Sequence, residues 1–283
     1  MPLYRPTELV QFLIENGVNP KKALSQNFLI DGNILRKITE TADVSPGEII
    51  FEIGPGPGAL TEQLLNKEGV VLAVEKDREL SGLLPRLSEM CKGKLYVFRD
   101  DILLFPIEKE VQKLLQPGQK AKVVANLPYS LTTPILEKLI PMNKTFSKIV
   151  IMVQEEVARR FTAKPGSSEY GSFTVFLNYF ADCKYEFMVK KNSFYPPPKI
   201  DSAIVTITLK EPPQVSSEEE FFRFTRRSFQ QRRKMLKSSL IELYPKEKIC
   251  RSLEKVSLNP LARPEELGVE EFIRLFEELN SPD

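Results

Sequence analysis

Short apolar runs alternate with amphipathic stretches through the middle of the chain. The runs predict strands at 48–53, 70–75, 94–99, 122–126 and 148–153, and helical spacing lies between them. Strands that alternate with helices are typical of an α/β fold whose sheet is mostly parallel and doubly wound. Two more strands are predicted at 184–190 and 201–209, and the Pro-rich segment between them indicates an antiparallel hairpin at the sheet edge.

The pattern changes at both ends of this region. Amphipathic spacing predicts helices at 6–16 and 33–42. The segment 211–217 is rich in Pro and Ser and is typical of a linker, and residues 218–283 beyond it have helical spacing with breaks near Pro245 and Pro260. We therefore expect a larger domain at 1–211 and a small all-α domain at 212–283.

A glycine-rich loop joins the first strand of the sheet to a helix. The segment 51–61 reads FEIGPGPGALT, in which glycines let the backbone come close to a ligand. Its spacing is that of neither the G-x-G-x-x-G fingerprint nor a P-loop. The next strand ends in Glu75, which is 75 − 54 = 21 residues after Gly54, where a carboxylate can accept hydrogen bonds from two ribose hydroxyls. The alternative is that Glu75 only caps a strand.

Polar groups follow two further strands. Asp100 and Asp101 come after the third strand, and either carboxylate could read an adenine amine; the apolar residues that follow favour Asp101. The fourth strand ends in Asn126-Leu127-Pro128-Tyr129. The Asn126 side-chain oxygen and the Leu127 carbonyl can each accept a hydrogen from an exocyclic amine, and Tyr129 can stack on its ring. Because ligands sit at the carboxyl ends of parallel strands, these positions predict one crevice.

Aromatic residues also precede the prolines between the last two strands. Phe194 and Tyr195 stand before Pro196 in the segment 192–199. Core packing is the ordinary role of a phenylalanine. A ring held by prolines is also a good stacking surface, so we expect Phe194 to lie opposite Tyr129 and to clamp an extruded base.

A basic segment lies in the C-terminal region. Residues 221–237 contain no acid and seven basic residues, six of which fall on one side of a helix at about 100° per residue. The alternative is a solvated face, but a basic face without acids favours contact with RNA phosphates. The seven are Arg223, Arg226, Arg227, Arg232, Arg233, Lys234 and Lys237.

The amino-acid composition excludes several kinds of catalytic and metal site. The 283 residues include no His, which excludes a Ser-His-Asp triad, an imidazole base and His-ligated metal sites. Cys91, Cys183 and Cys250 are far apart in the sequence and form no C-x-x-C pair, so we expect no metal and a reducing cytoplasm. The chain begins without a signal-peptide pattern and has no apolar run long enough for a membrane span. Since the net charge is only +2, an RNA-binding surface would need local clustering of charge.

Taken together and in order, these motifs resemble those of a known family. KKALSQNFLID (21–31), FEIGPGPGALT, NLPY, MVQEEVARR (152–160), NSFYPPPKIDSA (192–203) and FTRRSFQQRRKMLKSSL (224–240) are similar to segments of the KsgA-type ribosomal RNA adenine dimethyltransferases of the small subunit. The resemblance covers essentially the whole chain. Ser25 departs from it, because the family usually has Gly before Gln-Asn-Phe-Leu.

The resemblance implies a Rossmann-like class I methyltransferase sheet and S-adenosylmethionine as the methyl donor. It implies a monomer that dimethylates the N6 amines of two neighbouring adenosines near the 3′ end of 16S rRNA in the 30S subunit or its precursor. Helices of the C-terminal domain would bind that particle. By motif match, the donor-binding residues would be Asn27, Leu29, Gly54, Glu75, Asp101 and Asn126.

Three other functions stay open at this level. Relatives that modify large-subunit rRNA and cause macrolide resistance share the glycine loop, but the PPPKIDS segment and the FQQRRK stretch favour the small-subunit enzyme. A non-catalytic assembly factor of the same fold would have lost Glu75, Asn126 or the glycines, and all are present. Glutamine methyltransferases present Asn-Pro-Pro-Tyr to a planar amide, but the basic C-terminal segment argues against a protein substrate.

Overall fold

The structure, a computed structural model, describes residues 3–21, 24–231 and 234–281. Every predicted strand is present within three residues of its expected ends. Two short strands, β1 and β8, were not predicted. The strands are β1 (Phe28–Leu29), β2 (Ile49–Ile53), β3 (Val70–Glu75), β4 (Lys94–Arg99), β5 (Ala121–Asn126), β6 (Phe146–Gln154), β7 (Ala181–Val189), β8 (Phe194–Tyr195) and β9 (Ser202–Leu209).

Seven strands form one sheet in the order β4-β3-β2-β5-β6-β9-β7. The first five are parallel to their neighbours, and β9 runs antiparallel to β6 over the register Lys148↔Thr208 to Gln154↔Ser202. The mostly parallel α/β sheet with an antiparallel edge is confirmed. Because the parallel strands β2, β3, β4 and β5 end at the same edge, the segments after them face one crevice.

Thirteen α-helices lie within the described residues. Those at 6–16 and 33–42 were predicted closely, as were the breaks near Pro245 and Pro260. The helices are α1 (Pro6–Glu15), α2 (Gly32–Ala42), α3 (Ala59–Asn66), α4 (Arg78–Leu83), α5 (Leu87–Met90), α6 (Ile107–Gln112), α7 (Thr132–Leu139), α8 (Glu155–Phe161), α9 (Ser172–Phe180), α10 (Glu218–Phe229), α11 (Leu236–Ser239), α12 (Lys246–Lys255) and α13 (Val269–Asn280).

The chain divides into two compact units. Unit 1 contains residues 1–158 and 184–210, and unit 2 contains 159–183 and 211–283. The boundary after residue 210 lies next to the expected linker, but unit 2 also includes the segment 159–183, which the sequence placed in the larger domain. Aromatic packing explains this inclusion, since α9 contributes Phe176, Tyr179 and Phe180 to a cluster with Phe221 and Phe222 of α10.

The basic segment 221–237 is not one helix, so the expected single basic face is wrong. Helix α10 ends at Phe229, and Met235 has an extended backbone (φ −65°, ψ 152°) before α11 starts. Leu236 is fully buried and donates its backbone N–H to the Ala262 carbonyl at 2.9 Å. Burial of this leucine outweighs helical continuity.

No helix among the described residues is both long and apolar enough to span a membrane.

Candidate active site at the carboxyl edge of the sheet

A cavity of about 300 Å³ lies at the carboxyl ends of the parallel strands in unit 1. This volume is at the lower end of the roughly 300–1,000 Å³ usual for small-molecule sites. The structure brings eight predicted site residues together around it. They are the donor-binding candidates Asn27, Leu29, Gly54, Glu75, Asp101 and Asn126, and the acceptor-site candidates Leu127 and Tyr129.

The glycine loop needs glycine for two different reasons. Gly54 has a φ of +62°, which L side chains rarely adopt, and its N–H is bonded to the Val74 carbonyl at 2.9 Å. Gly58 has a φ of +94° and precedes α3, and a Cβ there would lie 2.7 Å from Leu87 Cδ1. Residues 54–57 line the cavity, and the lack of a side chain at the glycines suits close approach of a ligand.

Glu75 is held by backbone donors on both carboxylate oxygens. Oε2 accepts the Gly56 N–H at 3.0 Å, and Oε1 accepts the Asp77 N–H at 2.8 Å. Glu75 is only 6% exposed, and burial raises its pKa while these backbone hydrogen bonds oppose the rise. Each oxygen keeps a further lone pair, so the carboxylate can accept two ribose hydroxyls in a fixed orientation.

Asp101 is also oriented, but by a side chain. Its Oδ2 accepts from Lys76 Nζ at 2.8 Å and its Oδ1 accepts the Leu103 N–H at 3.0 Å. The Lys76 bond is the main cause of the lowered pKa of Asp101, which keeps the group ionised. Asp100 lines the same cavity and is exposed; its Oδ1 accepts the Asp101 N–H at 2.7 Å.

Asn126 has a defined amide orientation. Its Nδ2 donates to the Asn27 backbone carbonyl at 3.2 Å. Because a carbonyl can only accept, this bond places the NH₂ toward Asn27 and leaves Oδ1 available. Within the described part of the chain, neither Asn126 Oδ1 nor the Leu127 carbonyl receives a hydrogen bond. Two unpartnered acceptors therefore adjoin the cavity.

The two predicted stacking rings are placed differently. Tyr129 lines the cavity, and its hydroxyl shares a hydrogen bond of 2.6 Å with Ser202 Oγ, which holds the ring in place. Burial raises the pKa of Tyr129. Phe194 is 2% exposed and belongs to the hydrophobic core, in register with Leu29 across the β1–β8 pair. It does not line the cavity, so a clamp formed by Phe194 stays a prediction.

Glu52 lines the cavity and was missed by the sequence reasoning. It is 1% exposed, and its Oε2 has no hydrogen-bond partner among the described residues. Burial raises the pKa of Glu52 to about 8, and the charge of Glu75 adds to the rise. A carboxyl group inside the otherwise apolar β2 was the signal, because buried acids seldom occur without a role or a partner.

A second missed group holds the segment before Asn27. Asp77 is 2% exposed and accepts hydrogen bonds from Gln26 Nε2 at 2.8 Å and from Lys21 Nζ at 3.1 Å. Lys21 also bonds Glu79 at 2.8 Å. These contacts attach the cavity-lining residues 24–29 to the end of β3, near Glu75. Only the fold reveals them, since the groups are more than fifty residues apart in sequence.

The predicted RNA-binding residues that the structure describes belong to unit 2 and have different surroundings. Arg223 forms an ion pair with Glu220 at 2.7 Å, and Arg226 is exposed. Arg227 is largely buried and bonds the Ser239 carbonyl at 3.2 Å as well as Glu242, which is a structural role. Lys234 and Lys237 lie beyond the end of α10, and Arg232 and Arg233 lie outside the described residues.

Among residues 3–21, 24–231 and 234–281, no group of three or more Cys, Asp or Glu side chains is arranged to hold a metal ion.

Comparison with known proteins gives a consistent result. Residues 17–281 match the model of the ribosomal RNA adenine dimethylase family. The chain is 54% identical over 283 residues to the ribosomal RNA small subunit methyltransferase A of Protochlamydia amoebophila, covering all of this chain and 99% of that one. It is 44% identical over 279 residues to the protein of the same name from Chlamydia caviae, covering 98% of each chain.

Solved structures agree with this relationship. A dimethyladenosine transferase from Plasmodium falciparum has a TM-score of 0.76 at 26% identity, covering 89% of this chain and 97% of that one. The 23S rRNA methyltransferase ErmE has a TM-score of 0.69 at 25% identity, covering 90% of this chain and all of the other. The chain thus belongs to the ribosomal RNA adenine dimethylase family and is an S-adenosylmethionine-dependent methyltransferase.

Proposed function

We propose that this enzyme dimethylates the N6 amines of two adjacent adenosines near the 3′ end of 16S rRNA, within the small ribosomal subunit or its precursor. It would act as a cytoplasmic monomer and contribute to subunit biogenesis. Relatives named for the small subunit include proteins 43–54% identical to this chain, whereas the 23S rRNA enzyme is 25% identical. This difference in identity supports the small-subunit substrate over the large-subunit one.

The residues around the cavity fit the donor. Glu75 would hold the ribose hydroxyls, Asp101 would accept from the adenine amine, and the exposed backbone of Gly54 would lie against the methionine part with Asn27 and Leu29. S-adenosylmethionine supplies an activated methyl group on a sulfonium. The protein's own contribution is to hold that group in a fixed direction beside Asn126.

Activation of the adenine amine that accepts the methyl group depends on two oxygen atoms of the protein. The lone pair of an adenine amine is delocalised into the ring, so the nitrogen is a poor nucleophile. Hydrogen bonds from the amine to Asn126 Oδ1 and to the Leu127 carbonyl favour a pyramidal nitrogen and stabilise the positive charge that develops on it. Stacking on Tyr129 holds the base in the plane that these acceptors require.

A strong base is not needed in this scheme. The amine nitrogen becomes acidic as it is alkylated, and its proton can pass through a neighbouring acceptor to water. This agrees with a chain that has no histidine. After one methyl transfer a single N–H remains, so the second transfer needs only one of the two acceptors and space for a methyl group.

The observation that carries the proposal is the orientation of Asn126, whose NH₂ is engaged by Asn27 and whose oxygen has no partner among the described residues. We expect Asn126→Ala to bind S-adenosylmethionine within a few-fold of the parent and to lose methyl transfer by about 10² to 10³-fold, the usual effect of removing one preorganised group. Calorimetry with the donor and a tritiated-methyl assay on 30S particles from an unmethylated host measure the two effects.

Asn143→Ala is the matched control. Asn143 is a buried asparagine whose Nδ2, like that of Asn126, donates to a backbone carbonyl, but this carbonyl belongs to Lys210, away from the cavity. It should keep full turnover. Normal turnover in Asn126→Ala would refute the catalytic role. Primer extension on total rRNA from an unmethylated host that expresses the parent maps the methylated nucleotides, and stops that fell only in 23S rRNA would refute the small-subunit substrate.

A further inference from the structure

One lysine donates hydrogen bonds to three carbonyls of the loop that follows β4. Lys138, in the last turn of α7, donates from Nζ to the carbonyls of Ile102 at 3.1 Å, Leu103 at 2.9 Å and Phe105 at 2.8 Å. An ammonium group has three N–H donors, so these bonds use its whole donor capacity. A single cation therefore determines the path of four consecutive loop residues.

The lysine must be charged to do this, because a neutral amine has only two N–H groups. Burial lowers the pKa of Lys138, and the carboxylates of Asp101 and Asp100 oppose that effect. The side chain is half-buried. Hydrogen bonds from a charged donor in such surroundings are stronger than neutral ones, so the loop is held firmly.

The same loop carries Asp101. The Leu103 N–H donates to Asp101 Oδ1 at 3.0 Å, and the Leu104 and Phe105 N–H groups donate to the Asp101 carbonyl at 2.9 and 2.8 Å. The carbonyls of Leu103 and Phe105 are those that Lys138 binds. Any shift of these peptides therefore moves the carboxylate of Asp101.

We propose that Lys138 is a positioning residue for the donor's adenine: it anchors the 102–105 loop to α7 so that Asp101 meets the adenine amine. The inference rests on the proposed role of Asp101 in donor binding. Lys138 does not line the cavity and would touch no part of the donor. The effect of Lys138 is transmitted through the backbone of the loop. Substitution of Lys138 should therefore weaken only the contact between Asp101 and the adenine amine of the donor.

The test compares two ligands that differ at the adenine amine. S-adenosylhomocysteine carries the amine, and its analogue with purine in place of adenine carries a hydrogen atom there, which cannot donate to Asp101. We expect the full-length parent to prefer the first by about tenfold or more, since a site built to bind a donor rejects an analogue without it. In Lys138→Met the preference should fall to about twofold, through weaker binding of S-adenosylhomocysteine alone.

Two further variants complete the test. Lys122→Met is the control, because Lys122 Nζ also donates to a carbonyl, that of Asp43, and pairs with Glu48, but at the amino end of the sheet. It should keep the parent's preference. Lys138→Gln retains two N–H donors and should recover part of the preference. At saturating donor, turnover of Lys138→Met should stay within about threefold of the parent while KM for the donor rises.

Several results would overturn the proposal. An unchanged ligand preference in Lys138→Met would do so, and so would equal loss of affinity for both ligands, which indicates a general structural role. Failure of both Lys138→Met and Lys138→Gln to fold would also indicate a general structural role and would overturn the proposal. If the parent itself showed no preference between the ligands, the role of Asp101 in the proposed function would be wrong instead.

Discussion

Two charged regions of this chain are built in opposite ways. At the carboxyl edge of the sheet, Glu52 and Glu75 are 1% and 6% exposed, and both oxygens of Glu75 are held by backbone N–H groups. On α10, Arg223 is well exposed and pairs with Glu220, which is also exposed. A buried carboxyl group is costly to ionise, so it must be held by donors, as Glu75 is, or keep its proton, as Glu52 does, whereas surface ion pairs contribute about 0–1 kcal/mol. The first region is preorganised, and the second is adaptable.

This contrast predicts different responses to substitution. In the cavity, a single change should have a large effect that depends on pH or on one ligand. On α10, each change should have a small effect that depends on salt, since phosphate contacts act by counterion release. The following experiments test the contrast in order of decreasing effect.

The largest effect should come from Glu52→Gln. The pKa of Glu52 is raised to about 8 in the folded protein, above the ordinary value of 4.5 expected in the unfolded chain. Between these values the folded state holds the proton and the unfolded state has lost it, so stability falls as pH rises from about 5 to 8. The free energy of unfolding of the parent should fall by about 3 kcal/mol more than that of the variant over this range.

Urea unfolding at pH 5 and pH 8 measures this difference, and each protein at pH 5 serves as its own reference. Parallel pH profiles of parent and variant would show that Glu52 is ionised in the folded state, and the contrast with the surface region would lose its strongest support.

The next effect should come from Glu75→Gln. The amide would direct an NH₂ group toward one of the N–H donors of Gly56 and Asp77, and it would also lose the charge that accepts the ribose hydroxyls. We expect S-adenosylmethionine to bind about 30-fold more weakly, which corresponds to about 2 kcal/mol. Calorimetry measures the affinity for S-adenosylmethionine. Glu48→Gln, at the amino side of β2, is the control and should bind S-adenosylmethionine as tightly as the parent. Equal affinities of Glu75→Gln and the parent would favour the simple capping role.

A smaller effect is expected for Arg226→Glu on α10. Binding to 30S particles should weaken by about five- to tenfold near physiological salt, and the slope of log affinity against log salt should become shallower by about one. Filter binding at several salt concentrations gives both quantities. Arg274→Glu, an exposed arginine on α13, changes the net charge equally and should have little effect. An unaltered salt slope in Arg226→Glu would exclude this residue from the RNA-binding surface.

The smallest effect is expected for Ser25→Gly, next to the cavity. Ser25 has a φ of +53°, a left-handed conformation that costs an L residue about 1 kcal/mol. Glycine removes this cost but loses about 0.5–1 kcal/mol of backbone entropy on folding. The net change in stability should stay below about 0.5 kcal/mol, and donor affinity should change by less than about threefold. Thermal unfolding and calorimetry measure both, and a large gain in either would mean that the serine strains the site.

Local patterns were sufficient to predict much of this molecule. Apolar runs bounded by turn residues predicted the strands of the seven-stranded sheet, and residue type at four strand ends predicted the cavity. The reason is geometric. Parallel strands joined by helices end at one edge, so polar groups that follow successive strands must meet there, even when they are as far apart in sequence as Gly54 and Asn126.

The basic segment shows where local patterns fail. Its helical periodicity continues past Phe229, yet the helix ends there, because Leu236 is buried where it bonds the backbone of Ala262. The β1–β8 pair, which places Phe194 opposite Leu29, is a similar case, since neither short strand was predicted. Both outcomes depend on residues distant in sequence, so no local window could have predicted them.

The sequence by itself determined the fold class, the glycine loop and the set of side chains that surround the cavity, because these follow from periodicity and from positions at strand ends. Tertiary structure alone decided which of those side chains are oriented and by what: the Asn27 carbonyl for Asn126, Lys76 for Asp101, and Lys138 for the loop that carries it. Such hydrogen bonds join groups 25 to 99 residues apart, and they require the backbone to be folded before donor and acceptor can meet.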